Sequence, residues 1–513
     1  MSIQAPALHR ELIPPPRDSE AGPSIVTVLE SSCRRFAARP AYHNLGTTLT
    51  YGELERLSRH FAAYLQSQGL AKGDRIALMM PNLLQYPVAL FGALRAGLTV
   101  VNTNPMYTAR ELRGQLRDCG ARAVVIVENT AHTLADVRAD TQVEHVVITS
   151  IGELLPFRKR AAVNFLVRHV KRLVPHYELR GAVTFRHALA DGARCKYRTA
   201  TVDPQDVAFL QYTGGTTGIP KGAILTHSNV VANLMQLSEV WGELLEPGGE
   251  IMITPLPLYH VFCLTCNCML FMQHGGLNVL ITDPRNIAGL ISELAKWPFS
   301  MITAVNTLYN ALLAHPRFEQ LNFSRLKLAV AGGMSLHPCV AEKWRAITGR
   351  PLVEGYGLTE ASPVVACNSH LHARTGTVGK PLPATQISIR EDGLEVPSGQ
   401  PGELWIRGPQ VMRGYWNRHE ETEQVLADGW LRTGDIAILE ADGFLRIVDR
   451  KKDMIIVSGF KVFPNGQRLT ESELLEYCRE RLTAYKLPKR IEFRASLPKT
   501  NVGKVLRREL EAA

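Results

Sequence analysis

The chain has 513 residues, 45% hydrophobic and 21% charged, a balance that supports a large core and excludes a mainly disordered, collagen-like or small disulfide-stapled protein. With 58 Lys and Arg against 48 Asp and Glu it carries a formal net charge of +10, which suits anionic ligands or an acidic membrane surface. Aromatics make up only 7%, and no basic stretch is interleaved with stacking rings, which argues against nucleic acid as a partner.

Along the chain, residues 1–25 read as a loose tail, polar and Pro-rich, without the apolar core of a leader peptide. Thr50-Tyr51-Gly52-Glu53 opens a helix in which Leu54, Leu57, Phe61, Ala62 and Leu65 recur at helical spacing. Asp74 to Met80 reads as a buried strand, Gln85 to Ala96 as a helix stopped by Gly97, and Ala123–Val127 and His145–Ile148 as further buried strands. Alternating strands and helices predict a parallel sheet covered on both faces. From Phe157 to Leu173 the pattern is a basic amphipathic helix. Val163, Leu166, Val170 and Leu173 share a face, with Arg158, Lys159, Arg160, Arg168, Lys171 and Arg172 around it. Such a helix can lie on an anionic bilayer or dock on its own domain. Cys263, Cys266 and Cys268 fall in an apolar run with no second cysteine pair to complete a zinc site, so buried thiols are expected. No run reaches the ~18 apolar residues of a membrane span. After residue 385 short strands with turn residues between them predict a β subdomain to about residue 451. A charged hinge follows at Asp449–Asp453, and a helix over Ser472 to Leu482.

Four segments carry chemistry. Tyr212 to Gly222 follows a strand-like run and holds Thr213, Gly214, Gly215, Thr216, Thr217, Gly218 and Lys221. The glycines let backbone N–H groups close on a phosphate, the threonines add hydroxyl donors and Lys221 adds charge. It is not a P-loop, because Gly222-Ala223 follow the lysine where Ser or Thr is required. In Glu354-Gly355-Tyr356-Gly357-Leu358-Thr359-Glu360, Tyr356 can stack on a base, Thr359 can donate to a phosphate and Glu360 can hold Mg²⁺; the bland alternative is a turn with an exposed acid. Asp435, closing Gly429 to Asp435, can accept from both ribose hydroxyls or merely make an Asx-turn. Lys504, in Leu497 to Lys504, can bring charge to a reacting phosphoryl group or be a solvated lysine.

Together these segments resemble the adenylate-forming superfamily of acyl-CoA synthetases, luciferases and adenylation domains over about residues 30 to 510. Asp428 to Ala437 and Asp442 to Asp453 are similar to the signature of fatty acyl-CoA synthetases. Thr213-Gly214-Gly215 and the helix at 157–173 look like the bacterial long-chain fatty acid–CoA ligases. The resemblance implies an α/β fold: a large N-terminal domain of layered α/β sheets with a β subdomain (26–451) and a small α+β C-terminal domain (452–513). It implies two steps: a fatty carboxylate and MgATP give acyl-AMP and pyrophosphate, and coenzyme A then takes the acyl group. Residues 213–221 would hold the β- and γ-phosphates. Gly332, Gly333 and Met334 with Glu354, Gly355, Tyr356 and Gly357 would line the adenine. Thr359 would meet the α-phosphate, Glu360 and Thr213 would hold Mg²⁺, and Asp435 and Arg450 would bind the ribose. Lys504 would bridge carboxylate and α-phosphate. Lys452 would be the hinge, and Ser458, Gly459, Phe460 and Lys461 would swing in for thioester formation. Pro255 to Phe262, with His260 and Val261, resembles the acyl and coenzyme A channel, although His260 reads equally as a core histidine. Val230 to Trp241 and Thr303 to Asn306 are further wall candidates.

One departure stands out. After Val462-Phe463-Pro464-Asn465 the sequence passes at once through Gly466-Gln467-Arg468 to Leu469 to Leu474, which resembles a much later family segment, so the resemblance implies an internal loss of several tens of residues. The 62 residues from Lys452 onward are below the ~70–80 at which a small core is usually self-sufficient. Two other readings stay open: a ligase for another carboxylic acid or thiol, and a nucleotide- or fatty-acid-binding variant impaired by the deletion. The expected location is the cytoplasm, with peripheral contact on the inner face of the membrane as an option and a homodimer left open.

Overall fold

The structure, a computed structural model, describes residues 22–213 and 220–450 and the strands Ile455–Val457 and Phe460–Val462. Most of the expected tail, residues 1–21, lies outside the described residues; the Ser24 hydroxyl caps the helix Ile25–Arg35 in a capping box with Thr27. The helix Tyr51–Ser67 starts as its sequence predicts, with Thr50 and Glu53 capping each other's backbone. The helix Gln85–Arg95 is buried at every position, consistent with its nearly all-apolar face set.

Two sheets form the body. The first runs Val183–Thr184, His145–Thr149, Ala123–Val127, Arg75–Met79, Thr99–Asn102, Val207–Thr213, Lys221–Thr226. It is parallel except for the last pair, an antiparallel hairpin. The second has nine strands. Its parallel centre is Leu352–Gly357, Leu328–Ala331, Met301–Ala304, Ile251–Thr254, Leu277–Leu280 and Pro40–Asn44, with antiparallel strands at both edges. Near-continuous apolar runs such as Ala123–Val127 are buried throughout, as strands covered on both faces must be. A third sheet is antiparallel: Leu394–Glu395, Gln386–Glu391, Pro401–Arg407, Trp430–Leu439 and Leu426–Ala427, with Leu445–Arg450 also on Trp430–Leu439. This is the β-rich stretch expected after residue 385.

The two body sheets are stitched where their strands end. Asn82, past the end of Arg75–Met79, donates to the carbonyls of Thr254 and Leu256 at 3.0 and 2.8 Å and accepts from the Leu258 N–H at 2.8 Å. Gln211 donates to the Tyr259 carbonyl at 2.8 Å. Loops at the carboxyl ends of parallel strands are where open α/β sheets place their ligands. The helix His227–Trp241 fastens the antiparallel strand Val364–Cys367 of the second sheet and the segment leading to the third sheet. Its fully buried Asn233 bonds both backbone groups of Val364, and Gln236 reaches the Pro383 carbonyl at 2.7 Å.

The run expected to be one helix from Phe157 to Leu173 is an α-helix only over Phe157–Phe165 and continues as a π-turn over Leu166–Val170. Cys263, Cys266 and Cys268 are buried, and burial pushes the Cys268 thiol up to about 12. Among the described residues no helix is long and apolar enough to cross a membrane.

Candidate functional site

The strand Leu352–Gly357 runs directly into a 3-10 turn, Thr359–Ala361, so Tyr356 and Glu360 lie four residues apart on one continuous path. Gly357 is required there, because a Cβ would sit 2.2 Å from the Pro363 carbonyl oxygen of the returning chain. The turn packs on both strands of the hairpin Val207–Thr213 and Lys221–Thr226. Thr213 and Lys221 face each other at the loop end of that hairpin. Gly214, Gly215, Thr216, Thr217 and Gly218, between them, lie outside the described residues.

At this end three polar side chains meet. The Tyr415 hydroxyl donates to Glu360 Oε1 at 2.6 Å. Lys221 Nζ lies 5.2 Å from the centre of the Tyr415 ring, within cation–π range. Burial and the Glu360 carboxylate hold the Tyr415 phenol well above its ordinary pKa, so it remains a donor. Tyr415 reaches this place because residues 412–416 run beside Lys221–Thr226. Ile224 N–H donates to the Gly414 carbonyl, Arg413 N–H to the Ile224 carbonyl and Trp416 N–H to the Gly222 carbonyl, at 2.8–3.0 Å.

The other end is built from strands. Tyr356 donates to Asp435 Oδ2 at 2.5 Å, joining the second sheet to the third. Asp435 is buried, and a bulge aims it inward. Trp405 pairs with Arg432 and Glu403 with Ile436, so Thr433, Gly434 and Asp435 oppose Leu404 alone. Gly434 takes the positive φ, 70°, that the bulge demands, and Thr433 donates to the Leu404 carbonyl. Asp435 is therefore a strand residue rather than an Asx-turn residue. It pairs in register with Arg450 on the neighbouring strand.

Between the ends, Gly332, Gly333 and Met334 follow the strand Leu328–Ala331. Gly332 lies against the Phe262 ring, where a Cβ would come within 2.9 Å, and Gly333 has φ 77°. The loop is held from below by Glu354, whose carboxylate accepts the Leu336 N–H at 3.2 Å. Burial outweighs its backbone hydrogen bonds and raises the Glu354 pKa. His260 is half-buried at the start of the short helix Val261–Cys263 and caps it through Nδ1, while Val261 is packed in the core. Val230, Val231, Leu234 and Leu237 of the proposed wall are also buried. Lys452, Gly459 and Lys504 lie outside the described residues, and Phe460 and Lys461 pair as backbone with Val457 and Ile456.

Sequence reading missed Tyr415 and Asp118. Asp118 accepts from the Tyr212 hydroxyl at 2.5 Å and pairs with Arg418 at 3.1 Å, clamping the hairpin beside Thr213 to the 412–418 segment. Partners 55 and 94 residues apart leave no local pattern to find.

Among the described residues no three or more His, Cys, Asp or Glu side chains converge as a metal cage. Mg²⁺ needs none: it commonly takes one or two carboxylates and fills its remaining positions with phosphate and water oxygens. The half-buried Glu360, tethered through one oxygen beside a cation, has the donor chemistry for that arrangement.

Comparison with known proteins identifies the lineage of this arrangement. The family model for AMP-binding enzymes matches residues 29–416, and that for the AMP-binding enzyme C-terminal domain matches residues 449–504. The long-chain-fatty-acid–CoA ligase of Escherichia coli O6:H1 is 52% identical over 526 residues, covering 95% of this chain and 94% of its own. The long-chain-fatty-acid–CoA ligase of Yersinia pestis is 52% identical over 537 residues, covering 97% and 96%. The crystal structure of the anthranilate CoA ligase AuaEII with anthranoyl-AMP superposes with a TM-score of 0.80 at 23% identity, covering 96% of this chain and 98% of that one. The first alignment spans 526 positions but takes in 95% of 513 residues, about 487, so some 39 positions have no counterpart in this chain.

Proposed function

The chain belongs to the AMP-binding enzyme family, and from that membership we propose that it activates a long-chain fatty acid with ATP and transfers the acyl group to coenzyme A. One observation carries the site assignment: Lys221, the pair Tyr356 and Glu360, and Asp435, from three separate sequence segments, gather along one strand and the turn that follows it. In this reading residues 26–451 form the adenylation domain and 452–513 a shortened C-terminal lid. Gly332, Gly333 and Met334 with Glu354 and Gly355 line the adenine, and Asp435 and Arg450 take the ribose hydroxyls. Thr359 donates to the α-phosphate. Lys221 and the backbone of residues 214–218 hold the β- and γ-phosphates. Glu360 and the Thr213 hydroxyl would hold Mg²⁺, which supplies charge neutralisation when bound.

A fatty carboxylate oxygen attacks the α-phosphorus, and the bridging oxygen leaves with pyrophosphate, while Lys504 neutralises charge on both partners. Phosphoryl chemistry of this kind needs positioned charge more than covalent help. After a turn about Lys452, residues 458–461 enter. The coenzyme A thiol then attacks the acyl carbonyl and AMP leaves. A panel of acids tests the substrate class: oleate and palmitate should drive pyrophosphate release from MgATP, and benzoate should not. Equal release with benzoate would move the assignment to another acid.

The helix at 157–170 supports peripheral contact with an anionic bilayer. One side is fastened to the body. Asn164 accepts the Gly152 N–H and donates to Ser150, Val167 is buried, and Arg168 pairs with the buried Glu128. The outer side leaves Phe157 73%, Phe165 61% and Val170 62% exposed, among Arg158, Lys159, Lys171 and Arg172. Apolar side chains ringed by cations match the headgroup boundary of an acidic membrane. Phe165→Ser with Leu166→Ser should abolish sedimentation with phosphatidylglycerol vesicles while leaving soluble turnover intact; unchanged sedimentation would remove this helix from membrane contact.

A further inference from the structure

We infer that Tyr415 is a positioning residue that holds Lys221 and Glu360 apart, so that one is kept for nucleotide phosphate and the other for the divalent cation. The inference rests on the reading of this site as a MgATP site. Its basis is geometric. The Tyr415 hydroxyl binds Glu360 Oε1 at 2.6 Å, and Lys221 Nζ lies over the same ring at 5.2 Å. An ammonium and a carboxylate gathered on one side chain would ordinarily close into a direct pair. Among the described residues Lys221 and Glu360 make no ion pair within 4.0 Å; the carboxylate is held at the Tyr415 hydroxyl and the ammonium over its ring.

The spacer is itself firmly placed. Residues 412–416 are laid along the strand that starts at Lys221, and the Met412 N–H donates to the Glu360 backbone carbonyl at 2.7 Å. Gly414 lets the segment pass under Thr422, where a Cβ would come within 2.8 Å of the methyl group. The backbone of the turn, the carboxylate and the lysine-bearing strand are thus all referenced to one five-residue segment. Two side chains that must touch different parts of one ligand are set at a fixed separation before the ligand arrives, which is the requirement of preorganised charge.

The phenol has two separable parts, and two variants divide them. Tyr415→Phe keeps the ring under Lys221 and frees Glu360. Tyr415→Leu removes both and lets the two charges close. ATP binding to the full chain, measured by calorimetry with and without Mg²⁺, reads each part without any turnover. Tyr415→Phe should weaken MgATP binding roughly tenfold, the scale of one hydrogen bond to a charged group, and leave Mg²⁺-free ATP binding within about twofold. Tyr415→Leu should weaken both. A Tyr415→Phe chain that binds MgATP as tightly as the parent overturns the inference. So does one that loses Mg²⁺-free binding equally, since that pattern means general damage. If the parent itself binds no MgATP, the nucleotide reading of the site fails instead, and the parent measurement separates the two failures.

Discussion

The two ends of the candidate nucleotide site are built on different principles. At the proposed ribose end, Tyr356 and Asp435 sit in strands of two sheets and bond each other directly, with Asp435 buried and aimed by a bulge. At the proposed phosphate end, Lys221 and Glu360 stand at a strand start and in a turn, half-buried, one over the Tyr415 ring and the other bonded to its hydroxyl. A neutral hydroxyl and a carboxylate can be locked together and still offer lone pairs to a sugar. A cation and an anion locked together would cancel. The ribose end can therefore be rigid through its own contacts, whereas the phosphate end borrows rigidity from residues 412–416.

That contrast predicts different kinetic signatures, the largest at the phosphate end. Lys221→Met should lower kcat for pyrophosphate release by ~10²–10³, the usual consequence of removing one preorganised charge donor. Asp435→Ala should act mainly through KM for ATP, raising it by ~10–100-fold, because a ribose contact is made equally in ground and transition states. Tyr356→Phe should raise the same KM by only ~2–10-fold, the worth of one neutral donor. Steady-state kinetics on the three variants checks the order. If Asp435→Ala lowers kcat as far as Lys221→Met does, the two ends are not distinct in the way their construction implies.

Much of the body was legible in the sequence for a physical reason. Its strands are short apolar runs bounded by turn residues, and Ala123–Val127, Arg75–Met79 and His145–Thr149 fall where such runs predict. Glycine-bearing segments were equally visible, since Gly357 and Gly434 stand where the backbone leaves no room for, or disfavours, a side chain. The cross-links were not. Tyr415 with Glu360, Asp118 with Tyr212, and Asn82 with the 254–258 segment join residues 55 to 176 positions apart, and periodicity carries nothing at that range. The amphipathic pattern at 157–173 gave the helix and its apolar residues but not which side would face the body. Asn164 and Arg168, polar residues, make the attachment, and Phe157, Phe165 and Val170 are left outside.

The most direct test of the account follows acyl-adenylate in both directions. The parent chain and Lys504→Ala are each given MgATP with oleate, and separately oleoyl-AMP with coenzyme A, and oleoyl-AMP and oleoyl-CoA are quantified by mass spectrometry. The account predicts that the parent performs both steps despite the internal loss expected after Asn465. It predicts that Lys504→Ala makes oleoyl-CoA from supplied oleoyl-AMP but no oleoyl-AMP from ATP. Oleoyl-AMP formed by Lys504→Ala at the parent's rate, or none formed by a parent that binds ATP, would contradict it.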